Sequence, residues 1–257
     1  MAPSQKIKLM KKLLLYICLL LCSAAQAQHT IFLDKGRIEF EKRQNVHSLL
    51  DEMWSGEVDS WGEMQKKQLS KFKTSYFDLY FSGNITYYKP GREVEDNFKQ
   101  QEWPAEQNII YTDLGQQHSI SQKKVFDKLF LQDDSTRNIR WKITDETRKI
   151  AGFDCRRANA VIMDSIYVVA FYTDAIVTPG GPESFTGLPG MILGLALPHE
   201  HVTWFATKVL VDEQKPETLK PPVKGNRVSS AGLTDVITKA MKDWGNFGKV
   251  YLKSILL

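Results

Sequence analysis

Residues 154–173, DCRRANAVIMDSIYVVAFYT, decide the fold because they contain two consecutive strand-like runs, Asp154–Ile162 and Ile166–Thr173. The first run alternates polar and apolar residues, the second is almost wholly apolar, and a short polar turn separates them. Similar runs recur at even spacing on both sides: Tyr76–Phe81, Ile85–Tyr88, Ile109–Asp113, Gln116–Val125, Lys128–Leu131, Arg140–Ile143, Met191–Leu197 and Val202–Val211. Short strands with turn residues between them predict a large, mainly antiparallel sheet rather than alternating βαβ units.

Two other segments have the spacing of helices. From Asn45 to Phe72 the apolar residues recur every three or four positions, and Gly56–Gly62 interrupts them. Since Asn45 suits an N-cap, we predict two short helices or one broken helix there. Leu233–Trp244 is predicted as a last amphipathic helix, followed by the tail Val250–Leu257. The predicted fold class is therefore α+β, a large sheet covered by a few helices.

Two loop predictions complete this outline. Thr30–Glu41 alternates apolar and polar residues around Lys35-Gly36, which predicts an opening strand or hairpin with a turn at that pair. Arg92–Glu106 is polar and ends near Trp103-Pro104, which predicts a mobile loop.

The first 27 residues have the pattern of a secretory signal peptide. Four lysines precede the apolar run Leu13–Cys22, and Ala25-Gln26-Ala27 supplies a small-x-small cleavage site. The apolar run is half of the ~20 residues that a spanning helix needs, so we predict no transmembrane span. The sequence thus predicts a signal peptide at 1–27, one domain at 28–257, and a periplasmic or otherwise exported protein. Lipidation at Cys22 is disfavoured because Leu21, rather than a small residue, precedes it.

Charge and cysteine content exclude several classes of protein. Without the four signal-peptide lysines, the chain keeps 30 basic and 30 acidic residues. A neutral chain without a basic stripe does not favour nucleic-acid binding. Cys155 would be the one cysteine left after cleavage, so no intramolecular disulfide is predicted.

Three residues are candidate metal ligands. Cys155 precedes Arg156 and Arg157, which would activate a thiolate, although a small buried apolar residue is the commoner role for such a cysteine. His199 and His201 flank Glu200, and in a hairpin both imidazoles would project to one face. With Cys155 as a third ligand, these histidines would suit zinc or copper, whereas a polar hairpin tip is the alternative.

The stretch 179–190, PGGPESFTGLPG, is the most unusual part of the sequence. It lacks the lysine of a phosphate-binding loop and precedes a strand-like run rather than a helix. Pro189-Gly190 fits a type II turn with positive φ at Gly190. Two interpretations stay open: a lip over a cavity, with Phe185 and Leu188 as apolar contacts, or a compact crossover packed by its own side chains.

Several blocks of the sequence resemble one family. GLPGMI at 187–192, preceded by Gly-Pro-Glu at 181–183, resembles the signature of the GLPGLI family of exported proteins from Gram-negative bacteria, with Met191 in place of a leucine. The segments 141–158 and 203–208 are similar to flanking parts of the same pattern. The family has no established activity. Its pattern of sheet and helices looks like the half-barrel of periplasmic lipoprotein carriers, which implies a curved sheet holding an apolar ligand.

These observations predict an exported, non-enzymatic envelope protein without catalytic residues or a cofactor. Its partner would be an apolar small molecule or lipid, or an outer-membrane protein contacted by Trp61 and Trp103. A zinc or copper accessory protein using the two histidines and Cys155 is the alternative. The predicted apolar ligand site consists of Phe185, Leu188, Pro189, Gly190, Met191 and Trp204.

Overall fold

Twelve strands form one sheet in the residues that the computed structural model describes, which are 32–54, 59–94, 103–211 and 219–257. The strands are β1 (Lys35–Asn45), β2 (Phe72–Ser82), β3 (Ile85–Pro90), β4 (Ile109–Asp113), β5 (His118–Val125), β6 (Lys128–Ser135), β7 (Lys142–Ile150), β8 (Phe153–Ile162), β9 (Ile166–Thr173), β10 (Met191–Leu197), β11 (Val202–Leu210) and β12 (Asn226–Val228). Their order is β12-β6-β5-β4-β3-β2-β1-β11-β10-β9-β8-β7. All pairings are antiparallel except that of β12 with β6. The prediction of a curved, mainly antiparallel sheet with a few helices is confirmed.

The strands β4, β9 and β10 begin and end where the sequence predicts. The predicted turn at Lys35-Gly36 is wrong, because both residues lie inside the continuous strand β1. A Cβ on Gly36 would lie 2.6 Å from the carbonyl oxygen of Leu210 and 2.9 Å from the ring of Phe81. This glycine therefore marks a close approach of β11 and a packed ring to β1 rather than a turn.

Four helices accompany the sheet within the described ranges: α1 (Val46–Met53), α2 (Ser60–Gln68), α3 (Ser230–Ala240) and α4 (Gly245–Leu256). The side chain of Asn45 accepts a hydrogen bond from the backbone amide of Ser48 at 3.2 Å, which confirms the predicted N-cap. Two short helices, rather than one, therefore follow β1.

The end of the chain differs from the prediction. The helix predicted at Leu233–Trp244 ends at Ala240, and the predicted tail is the helix α4. Gly245 has φ +56°, which stops α3 from continuing into α4. Beyond this break, Val250 packs with the buried face of α1, and Ile255 packs with α3. The apolar residues Phe247, Val250, Tyr251 and Ile255 recur at helical spacing, and tertiary contacts with two elements stabilise the helix.

The core face of the sheet changes from apolar to polar along the strand order. One row of directly opposite residues crosses strands β1 to β6: Ile38, Leu79, Tyr88, Ile110, Ser121 and Gln132. The adjacent pair on β4 and β5 is Thr112 with Ser119. Because opposite partners lie on the same face, the inner surface of β5 and β6 is rich in hydroxyl and amide groups.

The crossover between β9 and β10, residues 174–190, packs onto the apolar half of this face. Ile176, Phe185 and Leu188 belong to the main core together with side chains of β1, β2 and β8–β11. The crossover is tied to the sheet by hydrogen bonds, such as that of the Thr178 hydroxyl to the carbonyl oxygen of Gly83 at 2.8 Å. It therefore fills the concave side of the sheet rather than bordering it.

The residues from Phe32 to Leu257 group into one compact unit. The predicted signal peptide, with Cys18 and Cys22, lies outside the described residues, as do residues 95–102 of the predicted loop. None of the described helices has the length and apolarity needed to cross a membrane.

Candidate functional site

The residues of the predicted apolar site are mostly core residues. Phe185 and Met191 are 0% exposed and Leu188 is 2% exposed, all three within the main core cluster. Trp204 on β11 is also buried, and Pro189 is exposed at the surface. These positions favour the compact crossover over the lip, because a side chain enclosed by other core side chains presents no surface to a ligand.

The turn at Pro189-Gly190 has the predicted positive φ angle at Gly190 but is not of the predicted turn type. Gly190 has φ +147°, and a Cβ there would lie 2.1 Å from the carbonyl oxygen of Thr173. Its amide donates to the carbonyl oxygen of Leu188 at 2.8 Å, whereas the amide of Met191 donates to Ile176. A bond between the Gly190 amide and the Leu188 carbonyl is that of a γ-turn. A type II turn has φ near about +80° at its third residue, so that prediction is wrong, while positive φ at this glycine is confirmed.

The candidate metal ligands do not come together. Cys155 on β8 lies level with the start of β10, beside the row Arg156–Tyr172–Ile192. His199 and His201 follow the last residue of β10, so about five strand residues, each rising about 3.3 Å, separate them from Cys155. The described part of the chain contains no group of three His, Cys, Asp or Glu side chains placed to bind a metal. A site that uses all three residues is therefore incompatible with the geometry.

Each candidate metal ligand has another environment. Burial raises the pKa of the Cys155 thiol to about 12, so the thiolate predicted from its arginine neighbours does not form near neutral pH. The His tip is a short 3-10 turn, Pro198–Glu200, rather than a simple hairpin. Glu200 is buried and accepts a hydrogen bond from Lys253 at 3.2 Å, and His201 lies 3.9 Å from the carboxylate of Glu52. These contacts join the β10–β11 turn to α1 and α4.

A polar groove of about 790 Å³ lies over the inner face of β4, β5 and β6. The tip of the β8–β9 hairpin and one residue of the crossover, Ser184, complete its walls. Fifteen of its nineteen lining residues are polar: Thr112, Ser119, Ser121, Lys123, Gln132, Asp134, Ser135, Thr136, Arg137, Asn138, Arg140, Asp164, Ser184, Ser230 and Thr234. The other four are Val161, Ile162, Met163 and Leu256. Its volume lies within the range of about 300–1,000 Å³ that small-molecule sites occupy.

Two basic side chains at the groove hold the end of α4. Lys123 donates to the carbonyl oxygen of Ile255 at 2.7 Å, and Arg137 donates through Nη2 to those of Leu256 and Leu257 at 2.7 and 3.2 Å. They satisfy carbonyl groups that a helix end leaves without partners. Burial lowers the pKa of Lys123 to about 8 and also lowers the pKa of Arg137. Both cations are therefore held where water solvates them poorly.

An ionic cluster away from the groove joins β1 and β2 to Glu106, which lies in the segment before β4. Glu106 pairs with Lys42 at 3.1 Å and Lys73 at 2.9 Å, and it accepts a hydrogen bond from Ser75. Burial alone would raise the pKa of Glu106, but the two ammonium groups and the hydroxyl outweigh it and lower the pKa to about 2. Glu106 is therefore ionised across the ordinary pH range.

Glu183 is a buried carboxyl group from the crossover. It accepts hydrogen bonds from Asn108 at 3.1 Å and Tyr88 at 3.5 Å, and burial raises its pKa. Sequence reasoning missed Glu183 and the groove. The available signal was β5, where Ser119, Ser121 and Lys123 are polar although they occupy the core-facing positions.

Two further surface features concern the predicted partner contacts. Trp103 is half-buried and packs against α1, and the side chain of Trp61 lies outside the described residues. Exposed aromatic rings occur instead at Phe126, Trp244 and Phe247, where Phe126 and Trp244 have ring centroids 5.5 Å apart. A second cavity of about 630 Å³ borders Trp103.

Comparison with known proteins identifies the fold more firmly than the family. A family model described as a protein of unknown function (Porph_ging) matches residues 160–194, and no curated protein matches the chain. The matched segment covers the end of β8, all of β9, the crossover and the start of β10. This family, like the one that the sequence resembles, has no known function, and the finer assignment to the GLPGLI family stays a prediction.

Solved structures with a similar fold include PNGF-II in two space groups, P21 and C2. Each has a TM-score of 0.52 and 14% identity over 80% of this chain, which spans 34% and 33% of the two PNGF-II chains. An uncharacterised conserved protein from Thermus thermophilus has a TM-score of 0.34 and 6% identity over 75% of this chain and 90% of its own. The chain thus spans about one third of PNGF-II, and the likeness shows the fold alone.

Proposed function

We propose that this chain is an exported, non-enzymatic binding protein whose ligand is a polar, hydroxyl-bearing molecule of the carbohydrate class, held in the polar groove. The observation that supports this is the lining of the groove, in which eight of nineteen residues are serine or threonine. Each hydroxyl both donates and accepts hydrogen bonds, which suits a ligand that presents hydroxyl groups in turn. Export is proposed from the signal-peptide pattern of residues 1–27.

The packing of the crossover supports a polar ligand over an apolar one. The apolar half of the inner face is covered by Ile176, Phe185 and Leu188, while the open half is the polar surface of β5 and β6. An apolar ligand in the groove would cost about 1–3 kcal/mol for each polar group that it buries without a partner.

Filling the groove is the test of this function. Thr136 lines the groove, and its backbone amide donates to Gln117, a contact that a side-chain substitution leaves in place. We expect Thr136→Trp to weaken binding by at least about tenfold, or ~1.4 kcal/mol, because the indole occupies the space of the ligand. Binding is measured on an array of neutral and acidic oligosaccharides and then by calorimetry with the strongest ligand.

Thr147→Trp is the matched control, because Thr147 is exposed on the edge strand β7, away from the groove. We expect it to bind as the wild type does. The proposal is wrong if no saccharide on the array binds, or if Thr136→Trp binds as tightly as the control. Binding of a fluorescent fatty acid, with no saccharide bound, would instead support the apolar ligand that the sequence predicts.

A further inference from the structure

Arg137 is a cationic side chain of the groove with an unused hydrogen-bond donor. Its Nη2 donates to the last carbonyl groups of α4, but its Nη1 is buried and makes no hydrogen bond to any described residue. A guanidinium has five N–H donors in a planar fork, and an unused buried donor costs more than an unused exposed one. The nearby ring of Phe185, 5.6 Å from the guanidinium carbon, offers a weaker interaction than a hydrogen bond.

The groove lining has more positive than negative side chains, which also favours a negatively charged partner. Lys123, Arg137 and Arg140 are cationic, and the first two contact backbone carbonyl groups rather than a carboxylate. Among the lining acids, Asp134 already accepts hydrogen bonds from the amides of Ser135 and Ser230, at 2.8 and 3.0 Å. Asp164 lies at the exposed tip of the β8–β9 hairpin.

Glu183 does not correct this imbalance. It interacts electrostatically with both Lys123 and Arg137, but its hydrogen-bond partners are Asn108 and Tyr88. Glu183 therefore acts on these two cations over a distance, and neither of them forms a direct ion pair with a carboxylate of the described side chains.

We infer that the ligand of the groove carries an acidic group, a carboxylate or a phosphate, that pairs with Arg137. This inference rests on the proposed function and makes it more specific, from a saccharide to an acidic saccharide. The planar fork of arginine matches both kinds of anion, and hydrogen bonds between charged partners are about twice as strong as neutral ones. The hydroxyl groups of β5 and β6 then bind the sugar, while Arg137 and Arg140 bind the acid.

The test compares sugars that differ in charge. Glucose, glucuronate and glucose 6-phosphate are titrated into the ¹⁵N-labelled protein, and binding is followed by NMR, including the side-chain Nε–H signal of Arg137. We expect at least one acid to bind about tenfold or more tightly than glucose, and to shift that signal. The carboxylate and phosphate arms show which anion the groove prefers. The preference should decrease as salt rises, because exposed Arg140 contributes to it.

Three variants test the role of Arg137. Arg137→Gln should remove the preference for the acid, so that the acid and glucose bind this variant with similar affinities. Because Arg137 also holds α4, Arg140→Gln is the second variant: its side chain is exposed, and it should lower the preference by a smaller factor without affecting the fold. Arg156→Gln, on the exposed side of β8 outside the groove, is the control and should have no effect.

The failure of this inference differs from the failure of the proposed function. If glucose and both acids bind equally, or if the array selects neutral saccharides alone, the groove binds sugars but the inferred acidic group is wrong. If neither the three sugars nor the array gives binding, the proposed function itself is wrong. A preference for the acid that persists in both Arg137→Gln and Arg140→Gln would also overturn the assignment.

Discussion

Phe185→Ala is expected to lower the free energy of unfolding by about 3–5 kcal/mol, the range of large-to-small substitutions in packed cores. Phe185 is 0% exposed and lies in the main core with side chains from both halves of the sheet. The substitution would leave a cavity, and the crossover has little room to move into it, because its backbone already lies close to its neighbours at glycine positions. A Cβ on Gly181 would lie 2.8 Å from the carbonyl oxygen of Phe185 and 2.9 Å from Ile192. Equilibrium denaturation in urea measures the loss.

A phenylalanine outside the core serves as the control. Phe32 is 62% exposed, and Phe32→Ala is expected to change stability by less than about 0.5 kcal/mol. The two interpretations of the crossover give opposite results for Phe185→Ala. If Phe185 contacted a ligand at an open mouth, the substitution would abolish binding with little loss of stability. A loss below about 1 kcal/mol would therefore contradict a crossover packed into the core.

The strands were predictable where local pattern and tertiary environment agree. Both β9 and β10 are short apolar runs buried on both faces, and turn residues bound them, so their ends follow from sequence. The helix α4 was missed although Val250, Tyr251 and Ile255 have helical spacing. Gly245 and Gly248 in its first turn weaken the local preference for a helix, and contacts with α1 and α3 stabilise it. The local sequence of a segment indicates its intrinsic preference for helix or strand, but it does not indicate which other elements pack against that segment.

The site was less predictable than the fold for a physical reason. The crossover contains the same apolar residues whether it lines a mouth or fills a core, and the curvature of the sheet beneath it decides which. The groove brings together residues as distant in sequence as Thr112 and Leu256. The alternation on β5 carries part of the signal, because Ser119 and Ser121 stand where a fully packed strand would carry apolar side chains.

Glu106→Gln is expected to cost about 3–5 kcal/mol near neutral pH, although it changes neither the size nor the shape of the side chain much. The carboxylate is the ion-pair partner of both Lys42, which is 5% exposed, and Lys73. Removing its charge leaves two buried ammonium groups to be solvated by a neutral amide. Removing one partner of a buried pair destabilises far more than removing an exposed pair, because the remaining charge stays desolvated.

The dependence on pH distinguishes this ion pairing from packing. The pKa of Glu106 is about 2 in the folded protein, below the value of 4.5 for an unperturbed glutamate. The folded state thus releases this proton more readily than the unfolded state, so the stabilisation is complete above about pH 4.5 and is lost as the pH falls towards 2. The difference in stability between the wild type and Glu106→Gln should therefore shrink over that interval. Asp154→Asn is the control, because its pair with Lys149 spans 3.5 Å between side chains that are 84% and 68% exposed. It should cost less than about 0.5 kcal/mol at every pH.

A difference in stability between the wild type and Glu106→Gln that stays constant across the same pH interval would show that shape, rather than charge, explains the effect of the substitution.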